Sequence, residues 1–503
     1  MKPIEVNVKR GQPQQEAAEV LVLSHYEGET AFKNETAAVD RALGGALLEL
    51  LKSGEFQGKG GQAVLLHAQK RIKAKRILLV GLGKRKDARL DTVRQAMGTA
   101  ARRVRQAGAG SFVTPLHGRG LADSVELAQA MIEGAILGGY QFTAYRSDNH
   151  DEHALTRITV LEPDAAELPD VKEGVRRGMA SAEATAFVRD LCNHPSNVMT
   201  PERIAGEAKK IGKERGVRVK ILEKREAERL GMGAFLGVAQ GSHEPPKFII
   251  LEYRGARGNG RPIVLVGKTI TFDTGGISLK PAENMEQMKA DMTGGAEVLA
   301  TVRAAARLRL PLHLIGILPA TENMPGGHAI KPGDILRTLA GKTVEVQNTD
   351  AEGRLILADG LAYATRYKPA VIIDVATLTG ACMVALGQFA VGMFGNNESQ
   401  KQRVRQAGLK AGERVLEMPL WDEYFEQLKS DVADMRNIGG RGGGMITAAL
   451  FLSKFVGDYP WIHLDIASTD WSERERPYIA KGPTGIGTRL ILQYLLDTAA
   501  SKN

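Results

Sequence analysis

The sequence predicts an α/β protein of two domains: an N-terminal α/β domain and a larger C-terminal α/β domain whose mostly parallel central sheet is covered by helices. Three observations point there. The chain has 503 residues, too many for one ordinary core. Short, near-continuous apolar runs alternate with segments of helical periodicity, the pattern of strands buried on both faces. Its 57 glycines suit the many tight loops of such a fold.

In the N-terminal half, residues 76–83 read as a buried strand running into a glycine turn. Residues 91–106 read as a basic helix, 121–137 as a second helix and 157–161 as a strand. Gly81-Leu82-Gly83 lacks the third glycine of a dinucleotide fingerprint, which argues against that ligand. Acids and turn formers cluster over 163–169 and mark a boundary. Val171, Val175, Met179, Ala182 and Ala186 then recur at three or four residues, an amphipathic helix. Pro195 disfavours helix at the residue before it. The expected organisation is an N-terminal domain over 1–170, a linking helix over 171–192 and the larger domain over 193–503. Within the last, 247–253, 262–266, 313–318, 371–375 and 461–466 read as strands, and 294–308 and 446–455 as helices. Ligand sites on such sheets lie beyond the C-terminal strand ends. That rule singles out 267–273 and 377–380. The near-apolar stretch 371–394 is broken by Asp374, Thr377, Thr379 and Gln388, and reads as strand plus loop rather than a membrane span.

The net charge of +9 is unevenly spread. Between Lys70 and Arg105 stand thirteen basic residues, opposed only by Asp87 and Asp91, so this segment carries +11 and the rest −2. Such density could attract a nucleic-acid or acidic partner, but a solvated basic face is the reading that charge patterning favours. The two cysteines, Cys192 and Cys382, are far apart and form no disulfide framework, which fits a reducing cytoplasm. No apolar leader opens the sequence.

The chemistry concentrates in residues 348–355, Asn-Thr-Asp-Ala-Glu-Gly-Arg-Leu. Asp350, Glu352 and Arg354 are costly to bury unless their charges are cancelled, and Gly353 reads as a backbone bend. Upstream lie Gly267-Lys268, then Asp273-Thr274-Gly275-Gly276, Lys280 and Asp291. If these segments converge, four carboxylates and two lysines share one pocket, and a divalent cation is the natural counter-charge. Oxygen ligands with one amine suit Mg²⁺, Mn²⁺ or Zn²⁺, and their number suits two ions. Lys280 and Arg354 offer fixed positive charge for an oxyanion or a bound anion. Other readings compete. Gly267-Lys268-Thr269 imitates the end of a Walker A loop, but Pro262 stands where its first glycine is needed. Asp291 read alone also serves as a cap for the helix that follows. Ser278 lacks the last glycine of a nucleophile elbow, and Cys382 lies among apolar residues.

These residues identify a resemblance. The 348–355 string, Val266-Gly267-Lys268 with Phe272-Asp273-Thr274-Gly275-Gly276, Ile277-Ser278-Leu279-Lys280-Pro281, Met288-Lys289-Ala290-Asp291-Met292, Asp374-Val375-Ala376-Thr377-Leu378-Thr379-Gly380-Ala381 and Asn437-Ile438-Gly439-Gly440 resemble the leucyl (cytosol) aminopeptidases, two-metal exopeptidases. The resemblance runs from about Asn193 to the C-terminus and is weaker before residue 170. It implies hydrolysis of N-terminal residues, Leu and other apolar ones, from peptides by a hydroxide bridging two divalent metals. Lys268, Asp273, Asp291 and Glu352 would hold the tighter metal, and Asp273, Asp350 and Glu352 the exchangeable one. Lys280 would stabilise the gem-diolate oxygen, and Arg354 would anchor a bicarbonate acting as base. Met288, Thr377, Gly380 and Ala467 would meet the substrate's first side chain. A hexamer of two trimers is implied, and some relatives also bind DNA. Two residues depart from the pattern: Thr269, where glycine is common, and Asp470, near the implied pocket wall, where an apolar residue is familiar.

Overall fold

The computed structural model describes residues 4–147, 154–256, 258 and 260–501; the sequence's first three residues, read as lacking an apolar leader, lie outside it. Two compact units result. One gathers the chain up to Ala186 with Lys410–Gly412 and Glu473–Lys481; the other gathers Phe187–Leu409, Glu413–Ser472 and the chain from Gly482. Helix Leu168–Asn193 contributes to both.

The first unit carries a six-stranded sheet of β1 (Glu5–Arg10), β2 (Val20–Glu27), β3 (Ala63–His67), β4 (Arg76–Lys84), β5 (Ser111–Pro115) and β6 (Arg157–Glu162), in the order β1-β6-β5-β2-β4-β3. All neighbours are parallel except β3 with β4. Leu21, Leu23, Ile77 and Leu79 point into its core. Residues 81–83 are not a turn: β4 runs through them, and a Cβ on Gly81 would stand 2.0 Å from the carbonyl oxygen of Lys59. The glycine serves a close crossing of backbone rather than a ligand loop.

The basic run of 70–105 does not form one cationic face. Arg94 is 1% exposed and pairs with Glu133. Arg85 pairs with Glu29 and Arg102 with Glu475, while Arg76 and Arg105 donate to the carbonyls of Ala107 and Gly139. Lys70, Lys73, Lys75, Lys84 and Lys86 keep exposed positions.

The second unit is built on a nine-stranded sheet. It includes β7 (Val217–Leu222), β8 (Lys247–Arg254), β9 (Ile263–Gly267), β10 (Thr269–Asp273) and β11 (His313–Asn323). From one edge the order is Val415–Glu417, Val391–Gly395, Trp461–Asp465, Val371–Ala376, β9, β11, β8, β7, with β10 beside β11. The central strands Trp461–Asp465, Val371–Ala376, β9 and β11 are parallel; β8 is antiparallel to its neighbours. Apolar side chains such as Val264, Val266, Ile315 and Ile372 are fully buried, as strands covered on both faces require. Parallel pairing puts the ends of β9, Val371–Ala376 and Trp461–Asp465 at one edge, where Gly267 pairs with Val375 and Ala376 with Asp465. The stretch 371–394 differs from strand plus loop: helix Gly380–Leu386 and strand Val391–Gly395 follow the first strand. Thr379 caps that helix by accepting from Cys382 N–H. No described helix is long and apolar enough to cross a membrane.

Candidate metal centre

The site forms where β9 and β10 meet the start of helix Glu352–Thr365. Glycines set the approach. A Cβ on Gly267 would stand 2.4 Å from Gly294 O, and one on Gly294 2.1 Å from Val375 O, so strand end and helix start touch backbone to backbone. Lys268 N–H donates to Val375 O (3.0 Å), and its buried side chain runs back across Gly353. A Cβ on Gly353 would lie 2.5 Å from Lys268 Cε. Gly353 is helical, so the expected backbone bend is absent; the glycine instead makes room for the lysine.

Lys268 Nζ lies 2.8 Å from both Asp291 Oδ2 and Glu352 Oε1, and donates to Thr377 O (2.9 Å). Lys280 Nζ lies 2.8 Å from Asp273 Oδ2 and 2.5 Å from Asp350 Oδ1. Asp273, Asp350 and Glu352 each offer an oxygen within 4.8 Å of the others. Thus all six charged groups singled out over 268–352 converge. Asp291 does not cap the following helix, whose N-cap is Met292; its Oδ1 accepts from Thr377 Oγ1 (2.6 Å).

The electrostatics follow from this crowding. Burial, and then the charge of Asp273, raise the proton affinity of Asp350 and Glu352; burial also raises Asp291 well above the carboxylate range, against the pull of Lys268. Burial would lower both lysines, but the acids reverse this and hold Lys268 and Lys280 firmly as ammonium. Four carboxylates against two ammonium groups leave the cluster two positive charges short. Hard oxygen donors with that deficit fit divalent ions. Asp291 Oδ2 and Asp350 Oδ1 are buried and meet only the ammonium groups of Lys268 and Lys280, at 2.8 and 2.5 Å.

Arg354 is buried and donates to Asn437 O (2.8 Å). Among the described residues no carboxylate stands at ion-pair distance from it, and burial lowers its pKa to about 10. Asn437 holds the acidic loop: its Oδ1 accepts from Gln347 N–H and its Nδ2 donates to Asn348 O (2.7 Å). Asn323 Nδ2 likewise donates to Asp273 Oδ1 (2.8 Å) and Thr349 O. Asp465 accepts from Thr379 Oγ1 and from the N–H groups of Leu378 and Ala467, tying the loop after Ala376 to the loop after Asp465. Sequence reasoning gave these three residues no role. An acid closing the apolar run 461–465 was the available signal.

Of the residues implied for the first side chain, Thr377 is buried beside Asp291, and Met288 and Ala467 are half-buried. Gly380 is exposed with open space beyond its missing Cβ. Thr269 turns from the acids: its Oγ1 donates to Gly267 O and packs on Gly295, where a Cβ would clash at 2.1 Å. Burial pushes Asp470 up to about 7. Both thiols are buried and pushed up to about 12, as inert cysteines are.

Comparison with known proteins agrees with this chemistry. The family model described as "Cytosol aminopeptidase family, catalytic domain" matches residues 186–492, and the one for that family's N-terminal domain matches 15–149. A probable cytosol aminopeptidase of Geobacter sp. (strain M21) is 46% identical over 497 residues, covering 97% of this chain and 99% of that protein. One from Roseiflexus castenholzii is 44% identical, covering 98% and 99%. Among solved structures, the bottromycin maturation enzyme BotP in complex with Mn has a TM-score of 0.85 at 34% identity, covering 96% of this chain and all of that one. A tomato leucine aminopeptidase mutant has a TM-score of 0.88 at 33% identity, covering 98% and 97%. Matched in both its parts, the chain belongs to the cytosol aminopeptidase family and is a peptide-bond hydrolase.

Proposed function

We propose that the protein removes N-terminal residues from peptides with two divalent ions, Mn²⁺ or Zn²⁺ with Mg²⁺ as a weaker alternative. The observation that carries this is the convergence of Asp273, Asp350 and Glu352 within 4.8 Å, with Lys268 and Lys280 set among them. When bound, the ions polarise the first peptide carbonyl and activate the water they share. Lys268, Asp273, Asp291 and Glu352 form one ligand set, and Asp273, Asp350 and Glu352 the other. Lys268 is a ligand only as a neutral amine, so it gives up the proton that Asp291 and Glu352 now hold in place. Lys280, anchored by Asp273 and Asp350, presents an ammonium to the oxyanion. Arg354, a buried cation without a carboxylate partner among the described residues, would hold a small anion such as bicarbonate, and that anion would supply a base beside the metal centre. Met288, Thr377, Gly380 and Ala467 line the first-residue pocket, whose apolar members favour Leu and similar residues. The helix between 171 and 192 joins an N-terminal domain to this catalytic domain. The cytoplasm is the proposed compartment, supported by two reduced, buried thiols.

The purified chain loaded with Mn²⁺ or Zn²⁺ is expected to cleave leucyl anilide, to lose at least nine-tenths of that activity in excess chelator, roughly the scale a missing Lewis acid implies, and to recover it on metal return. Undiminished turnover after stripping divalent ions ends the proposal. Self-assembly, a dimer of trimers, is supported by apolar residues exposed around helix Gly380–Leu386: Val384 is 90% exposed and Phe389 59%. Sedimentation should then give six times the 54.3 kDa chain mass. DNA binding remains a secondary proposal resting on Lys70, Lys73, Lys75, Lys84 and Lys86; binding in a gel shift must weaken steeply with salt.

A further inference from the structure

The first unit has a crevice of its own. From β2 the chain moves along the sheet to β4, then returns past β2 to β5 and on to β6. Right-handed crossovers put the helices of these two paths on opposite faces. Val39, Leu43 and Leu47 accordingly pack with Leu21 and Leu23, while helix Ser124–Gly138 packs on helix Leu90–Gln106. The segments leaving β2 and β5 therefore diverge. Between two such neighbouring strand ends, open α/β sheets take their ligands. Here the gap is a cavity of about 80 Å³, lined by residues 24–26, 33–36 and 115–119 with Glu29, Leu82 and Arg85. That is several times the ~10–15 Å³ that one water requires.

Several polar groups on its walls are paired. Ser24 Oγ lies 2.8 Å from His117 Nδ1, Thr114 Oγ1 2.6 Å from His117 Nε2, and His25 Nε2 2.8 Å from Glu29 O. Tyr26 is different. It is 6% exposed, and its hydroxyl is buried with no hydrogen-bond partner among the described residues. A buried hydroxyl left unpaired calls for a partner. The N–H groups of Gly118, Arg119 and Gly120 also meet no acceptor among the described residues. Gly118 (φ +78°) and Gly120 (φ +88°) are left-handed on either side of Arg119, and successive amides in such a turn form an anion-binding concavity. Packing fixes the turn: a Cβ on Gly118 would stand 2.7 Å from the Val93 side chain and 3.2 Å from that of Leu127. Helix Asn34–Ala42 starts at the same rim without a side-chain cap. Lys33, Arg85 and Arg119 outnumber Glu29 and Glu35 on the walls, and Arg85 lies 4.0 Å over the Tyr26 ring. The unused groups can all donate, and the surplus charge is positive.

We propose that this crevice, built wholly from the first unit, is a second binding site that takes a phosphate group, free or carried as a monoester by a small polyhydroxylated metabolite. Phosphate has enough acceptor oxygens to engage the Tyr26 hydroxyl, the amides of the 118–120 turn and a guanidinium together. The ester's remainder has room in an adjoining open pocket of about 780 Å³, which shares Asn34, Glu35 and Arg119 with the crevice. Glu162, Asp164 and Asp170 on that pocket's wall offer acceptors to its hydroxyl groups.

The test follows amide hydrogen exchange over residues 116–121 of the full chain, with inorganic phosphate, ribose 5-phosphate, ribose or chloride added at matched ionic strength. Phosphate and its ester are expected to slow these amides about tenfold or more, as new acceptors do, while ribose and chloride leave them unchanged. Tyr26→Phe removes only the unpaired hydroxyl. It should weaken phosphate about tenfold, the scale of one hydrogen bond to a charged group, without lowering the melting temperature of the ligand-free chain. Arg85→Gln should weaken it about as much, by loss of a charge-assisted contact. Arg354→Met should keep the exchange response, since that arginine belongs to the metal centre. Tighter binding of ribose 5-phosphate than of phosphate identifies an ester as the ligand, and equal binding identifies the free ion; either supports the site. Unslowed amides at 116–121 overturn the proposal. So does a phosphate affinity that Tyr26→Phe and Arg85→Gln both leave intact, or one that only Arg354→Met abolishes.

Discussion

Glu352→Ala is expected to lower kcat/KM by about a thousandfold or more, the several kcal/mol of transition-state stabilisation that a bound metal supplies. Glu352 has two tasks. Its Oε1 holds Lys268 at 2.8 Å, and it completes the carboxylate triplet with Asp273 and Asp350. Alanine therefore removes a ligand common to both proposed sets and leaves Lys268 with Asp291 alone among its acidic partners. The two consequences are separable. Glu352→Gln keeps volume and a hydrogen-bond acceptor for Lys268 but removes the charge. If metal binding dominates, both variants lose activity, and both lose the stabilisation that millimolar Mn²⁺ gives the wild type, about 2.7 kcal/mol at a hundredfold excess over Kd. If Glu352 acts only by neutralising Lys268, the variants still melt higher with Mn²⁺ while their metal-free stability drops. Full activity in either variant rules out the carboxylate triplet as the reacting centre.

The parts of this site that could be read in the sequence share one property: each is a charge where local structure expects none. Lys268 follows an apolar strand, Asp273 ends another, Asp350 stands just before a buried helix and Glu352 begins it. Parallel strands then bring such residues to one edge of the sheet, so their convergence follows from topology. What was illegible depends on partners remote in sequence. Asn323 and Asn437 are neutral, and what they do is set by Asp273 and by the backbone at 347–349. Gly353 reads as a bend because its true neighbour, the Lys268 stem, lies 85 positions earlier. The N-terminal sheet was read only where strands are apolar. β4 is, but β1 is an edge strand with Glu5, Asn7, Lys9 and Arg10 facing outward, and an exposed edge needs no apolar period. The basic helix shows the opposite failure. Its arginines raise the local charge count, yet Arg94 faces inward, which periodicity signals only through its position between Val93 and Ala96–Met97 on the buried side.

Arg94 leads to the largest effect expected on stability. Helices Leu90–Gln106 and Ser124–Gly138 approach so closely that a Cβ on Gly134 would stand 2.2 Å from Arg94 O, and one on Gly138 2.6 Å from Gly98 Cα. In this tight contact Arg94 Nε meets Glu133 Oε2 at 2.5 Å, each side chain 1% exposed. Arg94 also donates to Lys410 O (2.6 Å), and Gln129 donates to Glu133 Oε1 (3.0 Å). Water cannot enter to replace a lost partner. Glu133→Ala therefore leaves a buried guanidinium uncompensated, at a cost of about 3–5 kcal/mol. Replacing both residues with leucine and methionine removes the two desolvation costs together, and the double variant should fall within about 1 kcal/mol of wild type or exceed it. All three tryptophans, Trp421, Trp461 and Trp471, lie in the second unit, so their fluorescence is a poor reporter here. Amide hydrogen exchange in the two helices is the direct measure, with protection falling about a hundredfold or more in Glu133→Ala. A single variant as well protected as wild type would mean that Arg94 has found solvent, and it would return that arginine to the cationic surface counted from the sequence.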